Sequence, residues 1–286
     1  MFDNVLVGID GHQGGRDAIA LARQLAAPAA KLTLAHVYGG HTIGGRASAM
    51  AVPLEREAGE QVLARTLWES GLDAEAELVF GESIGRGLHE LADRMRAELL
   101  IVGSTRRALL GRVLVGDDAR AALNGAPCAI AIASRAYAQA PRQLLRLGVG
   151  YDDSPESIQA LAAARALAER YGSAIQALWV VALPTVQEEA PIPADWDEAI
   201  KKLEDQYSAR LAELGDVEGR VTYGGPREEL AQFAKQLDLL IVGSRNYGPV
   251  GRLIHGSVSG YLLGHASCSL MFLPRHGQDG RAAQRR

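Results

Sequence analysis

The sequence predicts an α/β fold: two tandem doubly wound domains, each a five-stranded parallel sheet of strand order 3-2-1-4-5. Three observations predict it. First, the chain repeats itself: Leu99-Leu100-Ile101-Val102-Gly103-Ser104 recurs as Leu239-Leu240-Ile241-Val242-Gly243-Ser244, an offset of 140. Gly111-Arg112, Gly116 and Cys128 recur at the same offset as Gly251-Arg252, Gly256 and Cys268, and Val7-Gly8-Ile9-Asp10 answers to Val149-Gly150-Tyr151-Asp152 at 142. Second, short apolar runs alternate with longer amphipathic stretches, the signature of strand–helix units. Third, those runs are apolar on both faces, which suits a parallel sheet covered by helices on either side.

The elements follow in order. The first half reads as strand 5–9, helix 15–27, strand 32–37, helix 53–70, strand 74–79, helix 84–97, strand 99–103, helix 117–124 and strand 129–133. The second half repeats the order, with strands near Leu145, Ile175, Val217, Leu239 and Leu270 and helices near Ser157, Asp195, Arg227 and Ser257. The domains are predicted as 1–137 and 143–275. Between them Tyr137-Ala138-Gln139-Ala140-Pro141 carries neither periodicity and reads as a short linker, and 276–286, with Arg281, Arg285 and Arg286, reads as a flexible basic tail.

At 286 residues the chain accommodates two domains of common size. Its 48% apolar and 22% charged content excludes a disordered chain. With 5% aromatics but abundant Ala and Gly, the helices should pack through small side chains. A formal charge of −4 supplies no basic field, so nucleic acid is not an expected partner. Met1 to Val7 lacks a basic leader, and no apolar run approaches the roughly 18 residues of a membrane span; a cytoplasmic protein without membrane contact is expected. Cys128 and Cys268 open apolar runs and are expected as buried, reduced thiols.

In a doubly wound sheet the ligand sits beyond the carboxyl ends of the strands, where strand order reverses, here between the first and fourth strands of each half. Asp10 or Asp152 ends the first strand there; Gly103 or Gly243 ends the fourth. From Gly243 the chain runs through Arg245, Asn246, Gly248, Gly251, Arg252 and His255 to Gly256-Ser257. Glycines let a loop expose its N–H groups to a polyphosphate, and a helix start favours negative charge. Ser257 is expected to donate its hydroxyl or cap that helix, and Asp152 or Asp153 to accept from a ribose hydroxyl or an adenine amino group. Arg245 and Arg252 are candidates to touch phosphate, with solvated arginines as the plainer reading.

On these residues the second half resembles an ATP-binding domain of the universal stress protein family, an adenine nucleotide alpha-hydrolase-like fold. The family pattern of Gly, two residues, Gly, nine residues, Gly, then Ser or Thr falls on Gly243, Asn246, Gly256 and Ser257, with the acidic residue at Asp152. Asn246 replaces the second glycine but tolerates left-handed backbone. The resemblance implies an adenine-contacting backbone at Val180 or Val181, and a bound ATP, ADP or AMP with Mg²⁺ an optional companion. In the first half the pattern decays to Gly103, Arg106, Gly116 and Asp117. A carboxylate about 4 Å from a phosphate oxygen costs roughly 4 kcal/mol at an effective dielectric near 20. The first site, including Asp10, is therefore expected weakened or empty unless Mg²⁺ bridges, with Asp10 serving as a helix cap.

The resemblance implies a stress-response protein whose nucleotide regulates rather than reacts. No GxxxxGK[ST] or HExxH motif is present. The alternatives are a weak ATPase or other adenine-nucleotide enzyme, and a scaffold without nucleotide. Adenylating ligases of this fold carry a Ser-Gly-Gly-rich loop after the first strand, unlike Asp10-Gly11-His12-Gln13-Gly14 or Asp152-Asp153-Ser154-Pro155. Stretches 39–52 and 183–194, rich in residues that break structure, read either as long loops that cover a nucleotide or as disordered segments. An unpaired fifth-strand edge would invite aggregation. Ala129–Ala133 is therefore expected to meet Leu270–Leu273 as an intrachain pseudo-dimer, the cysteines near the seam, with helix faces available for a homodimer.

Overall fold

The computed structural model describes residues 1–39, 51–105, 108–114, 127–141, 143–182, 196–243 and 257–274. The first half runs β1 (Phe2–Gly8), α1 (Gln13–Leu25), β2 (Ala26–Tyr38), α2 (Ala51–Ser70), β3 (Glu75–Phe80), α3 (Ile84–Met95), β4 (Leu99–Gly103) and β5 (Ala129–Ala133). The second runs β6 (Arg146–Gly150), α4 (Pro155–Tyr171), β7 (Ala174–Val181), α5 (Trp196–Ala212), β8 (Glu218–Tyr223), α6 (Pro226–Phe233), β9 (Leu239–Gly243), α7 (Ser257–His265) and β10 (Ser269–Leu273). The helix expected at 117–124 lies outside the described residues.

All ten strands form one sheet, ordered β3-β2-β1-β4-β5-β10-β9-β6-β7-β8. Each half has the order 3-2-1-4-5, and its strands pair in parallel. The halves meet edge to edge at the expected strands: β5 and β10 pair antiparallel, with Leu270 opposite Ile132, Met271 opposite Ala131 and Phe272 opposite Ile130. Neither fifth strand is left as an open edge.

Successive strand residues face opposite ways, so each strand feeds two cores. Leu6, Leu100, Ile130, Leu240 and Phe272 pack under α3, α6 and α7; Val5, Val7, Ile101, Ile241 and Met271 pack under α1, α2, α4 and α5. Both cores cross the seam. Small residues let the helices lie close, as expected: Ala18 and Ala22 of α1 and Ala160 and Ala164 of α4 are fully buried.

Two boundaries differ from expectation for one reason. Helix α1 stops at Leu25, and β2 begins at Ala26 rather than residue 32. Pro28 has no N–H for a helix and pushes Ala27 toward extended backbone, so 26–30 joins β2 and Ala26 pairs with Phe2. The linker is also more than a spacer. Tyr137 is buried within a turn of 3₁₀-helix, and Asp17, fully buried in α1, accepts the N–H groups of Ala136 and Ala138 at 2.8 and 2.9 Å. Further bonds cross the seam: Val113 N–H donates to the Ala266 carbonyl at 3.1 Å, and Ser134 N–H to Ser269 Oγ at 3.2 Å.

Cys128 and Cys268 are free and buried just before β5 and β10, and burial pushes both thiols up to about 12. Among the described residues no helix is long and apolar enough to cross a membrane.

Candidate functional site

The parallel strands of each half deliver their carboxyl ends to one edge, where β1 lies beside β4 and β6 beside β9. The chain leaves both first strands identically: Ile9 N–H donates to the Ala35 carbonyl at 2.9 Å, Tyr151 N–H to the Leu178 carbonyl at 3.0 Å. An acidic residue follows, then a left-handed one, Gly11 at φ +72° and Asp153 at φ +62°. That strain at Asp153 is unusual for a residue other than glycine and fixes a tight turn into α4.

In the second half Asp152 Oδ1 accepts from Ser154 N–H at 3.2 Å and Ser154 Oγ at 2.5 Å, and Ser154 Oγ in turn accepts the Ser157 N–H that starts α4. Asp153 turns toward α5: its Oδ1 accepts the Tyr151 hydroxyl at 3.2 Å, and Arg210 lies 3.8 Å from Oδ2. Burial, then the Asp153 charge, raise the Tyr151 phenol above its ordinary value. Tyr151, Trp179 and Tyr207 form a packed aromatic row behind this turn. Thus the two candidate carboxylates serve different neighbours, Asp152 at the start of α4 and Asp153 toward α5.

Gly243 ends β9 against the start of α4 so closely that a Cβ there would lie 2.5 Å from the Glu156 carbonyl carbon and oxygen. The glycine is thus needed for close backbone approach, whatever ligand is present. Val181 ends β7, and its carbonyl accepts the Gly224 N–H at 3.1 Å. Ser257 is the first residue of α7. Arg245, Asn246, Arg252, His255 and Gly256 lie outside the described residues, as do Arg106, Gly116 and Asp117 in the first half. The structure therefore places Asp152 just past β6 and Gly243 at the end of the adjacent β9, and the glycine-rich stretch lies outside the described residues.

The first half shows its crevice more fully. Asp10 Oδ1 accepts the N–H groups of His12 and Gly15 at 2.9 and 3.2 Å, the helix-capping role expected of it. A Cβ on Gly103 would lie 1.9 Å from the Gly14 carbonyl oxygen. Beside this contact is a cavity of about 250 Å³ lined by Asp10, Val37, Ile84, Leu88, Gly103 and Thr105 among others. Val37, Ile84 and Leu88 of this lining belong to no motif in the sequence. Strand order alone could have found Val37, since β2 ends beside β1; the α3 residues carry no comparable signal.

The model of the universal stress protein family matches residues 1–134 and again 144–274. A universal stress protein of Mycolicibacterium smegmatis is 30% identical over 287 aligned residues, covering 93% of this chain and 95% of the relative. One from Mycobacterium tuberculosis is 26% identical over 202 residues, covering 67% and 69%. Among solved structures, a universal stress protein from Archaeoglobus fulgidus superposes with TM-score 0.69 at 15% identity, covering 96% of this chain and 98% of the other.

Proposed function

The chain belongs to the universal stress protein family, and from that premise we propose that it binds an adenine nucleotide, ATP, ADP or AMP, chiefly in its second half. The observation that supports this reading is the pairing of β6 with β9, which puts Asp152 and Gly243 at the carboxyl ends of adjacent strands, together with the stretch from Gly243 to Ser257, which keeps the spacing of a phosphate-binding loop. Asp152 would meet the ribose or adenine, Val181 the adenine edge, Asn246 and Gly256 the phosphates through backbone N–H groups, and Ser257 a phosphate oxygen through its hydroxyl. Arg245 would add a cation, and Mg²⁺ is the natural companion of a triphosphate.

The role is regulatory: binding alters which surface the protein presents. The first-half cavity beside Asp10 and Gly103 favours a second, weaker occupancy there, limited by the carboxylate of Asp117 near the phosphates.

The test is a melting-temperature series on the full chain with ATP, ADP, AMP and adenosine, with and without Mg²⁺. A ligand at a hundred times its dissociation constant adds about 2.7 kcal/mol. For domains of this size that is roughly 5–10 °C. No shift at millimolar nucleotide would leave the scaffold reading. Incubation with labelled ATP and Mg²⁺ separates binding from hydrolysis: the regulatory reading expects intact ATP over many hours.

A further inference from the structure

A second and larger cavity, of about 350 Å³, adjoins the first-half crevice, sharing Gly14, Ser104 and Thr105 with it. Four separate segments build it: the start of α1 with His12, Arg16 and Asp17, the stretch just past β4 with Thr105, the segment at Leu110, and the link between the halves with Arg135 and Gln139. Its acidic lining residue is already engaged, since the Asp17 carboxylate accepts the Gln13 amide at 2.8 Å and the two linker N–H groups. The cations are less committed. Arg16 gives one N–H to Gln13 Oε1 at 3.4 Å and Arg135 one to the Ala108 carbonyl, out of five donors each.

Nothing in the fold requires this arrangement. At the matching positions of the second half, 142 residues on, Ile158 replaces Arg16 and Gln159 replaces Asp17, and that half folds in the same topology. Arg135 sits just past β5, on the segment that joins the halves.

We propose that this cavity binds a phosphate group, held between the Arg16 and Arg135 guanidiniums. Guanidinium forks match the several oxygens of a phosphate better than a single point charge would. The phosphate has two sources: free inorganic phosphate or a phosphomonoester from solution, or the terminal phosphate of a nucleotide reaching over Gly14 from the adjoining crevice.

The experiment is calorimetric titration of the full chain with inorganic phosphate, and separately with ATP and adenosine. Wild type is compared with Arg16→Gln, with Arg16→Lys, and with Arg56→Gln as a control for lost surface charge. Arg16 is exposed on α1, and an unchanged melting temperature in the absence of ligand confirms that the variant folds. Arg16→Gln is expected to weaken binding roughly tenfold, Arg16→Lys less and Arg56→Gln not at all.

Weakened inorganic phosphate with unchanged ATP assigns a free phosphate. Weakened ATP with unchanged adenosine assigns the nucleotide's terminal phosphate, and weakening of both assigns a shared site. If Arg16→Gln changes neither, or changes them no more than Arg56→Gln, the proposal is overturned. The inorganic-phosphate arm stands apart from the nucleotide reading, so the two can fail separately.

Discussion

Asp17 shows how one side chain sets the geometry of a whole joint. Its carboxylate, fully buried, replaces water for two linker N–H groups and holds Ala136 in the left-handed region at φ +66°. Asp17→Ala strands those donors in the interior, and orphaned buried groups cost about 1–3 kcal/mol each. Denaturant unfolding should therefore show a loss of roughly 2–4 kcal/mol; a loss under 0.5 kcal/mol would mean the linker rests on Tyr137 alone. The cysteines make a second residue-scale prediction. With both thiols pushed up to about 12, they stay protonated and unreactive in the native state at neutral pH. Alkylation should proceed only as fast as the protein opens. Because the folded value exceeds the unfolded one near 9, this contribution to stability is complete below about pH 9 and fades as pH rises toward 12. A stability that rose across that window would contradict the burial of these thiols.

At the scale of elements, the glycine ending β9 and the seam strand β10 carry the sharpest predictions. Gly243→Ala drives a methyl to within 2.5 Å of the Glu156 backbone, so β9 and α4 must separate. A destabilisation of about 2 kcal/mol or more is expected, with nucleotide binding lost as well. Phe272→Ala empties a fully buried side chain opposite Ile130 and should cost about 3–5 kcal/mol in chemical denaturation. The order of elements was legible because each repeats and because apolar runs such as Leu99 to Val102 have only one use in this architecture. The start of β2 was not, since a run of alanines suits helix or strand equally until Pro28 and Phe2 decide it. In the site, Asp10, Asp152, Gly103 and Gly243 were legible from their strand-end positions. The division of labour between Asp152 and Asp153 was not, because it depends on Arg210 of α5, 57 residues further along the chain than Asp153, and on a left-handed turn. Asp17 escaped notice because a helical Asp normally faces solvent, and nothing local marks its partners 119 and 121 residues away.

Taken whole, the chain is one ten-stranded sheet with two cores that run unbroken across β5 and β10. Each half closes the other's edge, so the second half expressed alone, residues 144–274, should expose β10 and self-associate through it. Size-exclusion chromatography with light scattering reads this directly, and a stable monomer of that fragment would contradict the mutual protection of the edges. The central claim is that the β6–β9 crevice holds an adenine nucleotide through Asp152 and the stretch to Ser257. Calorimetric titration of the full chain with Mg-ATP, wild type against Asp152→Ala, tests it most directly. The account predicts saturable binding by the wild type, weakened tenfold or more in the variant while its melting temperature without ligand moves little. Binding that is absent from the wild type, or equal in the two proteins, would contradict it.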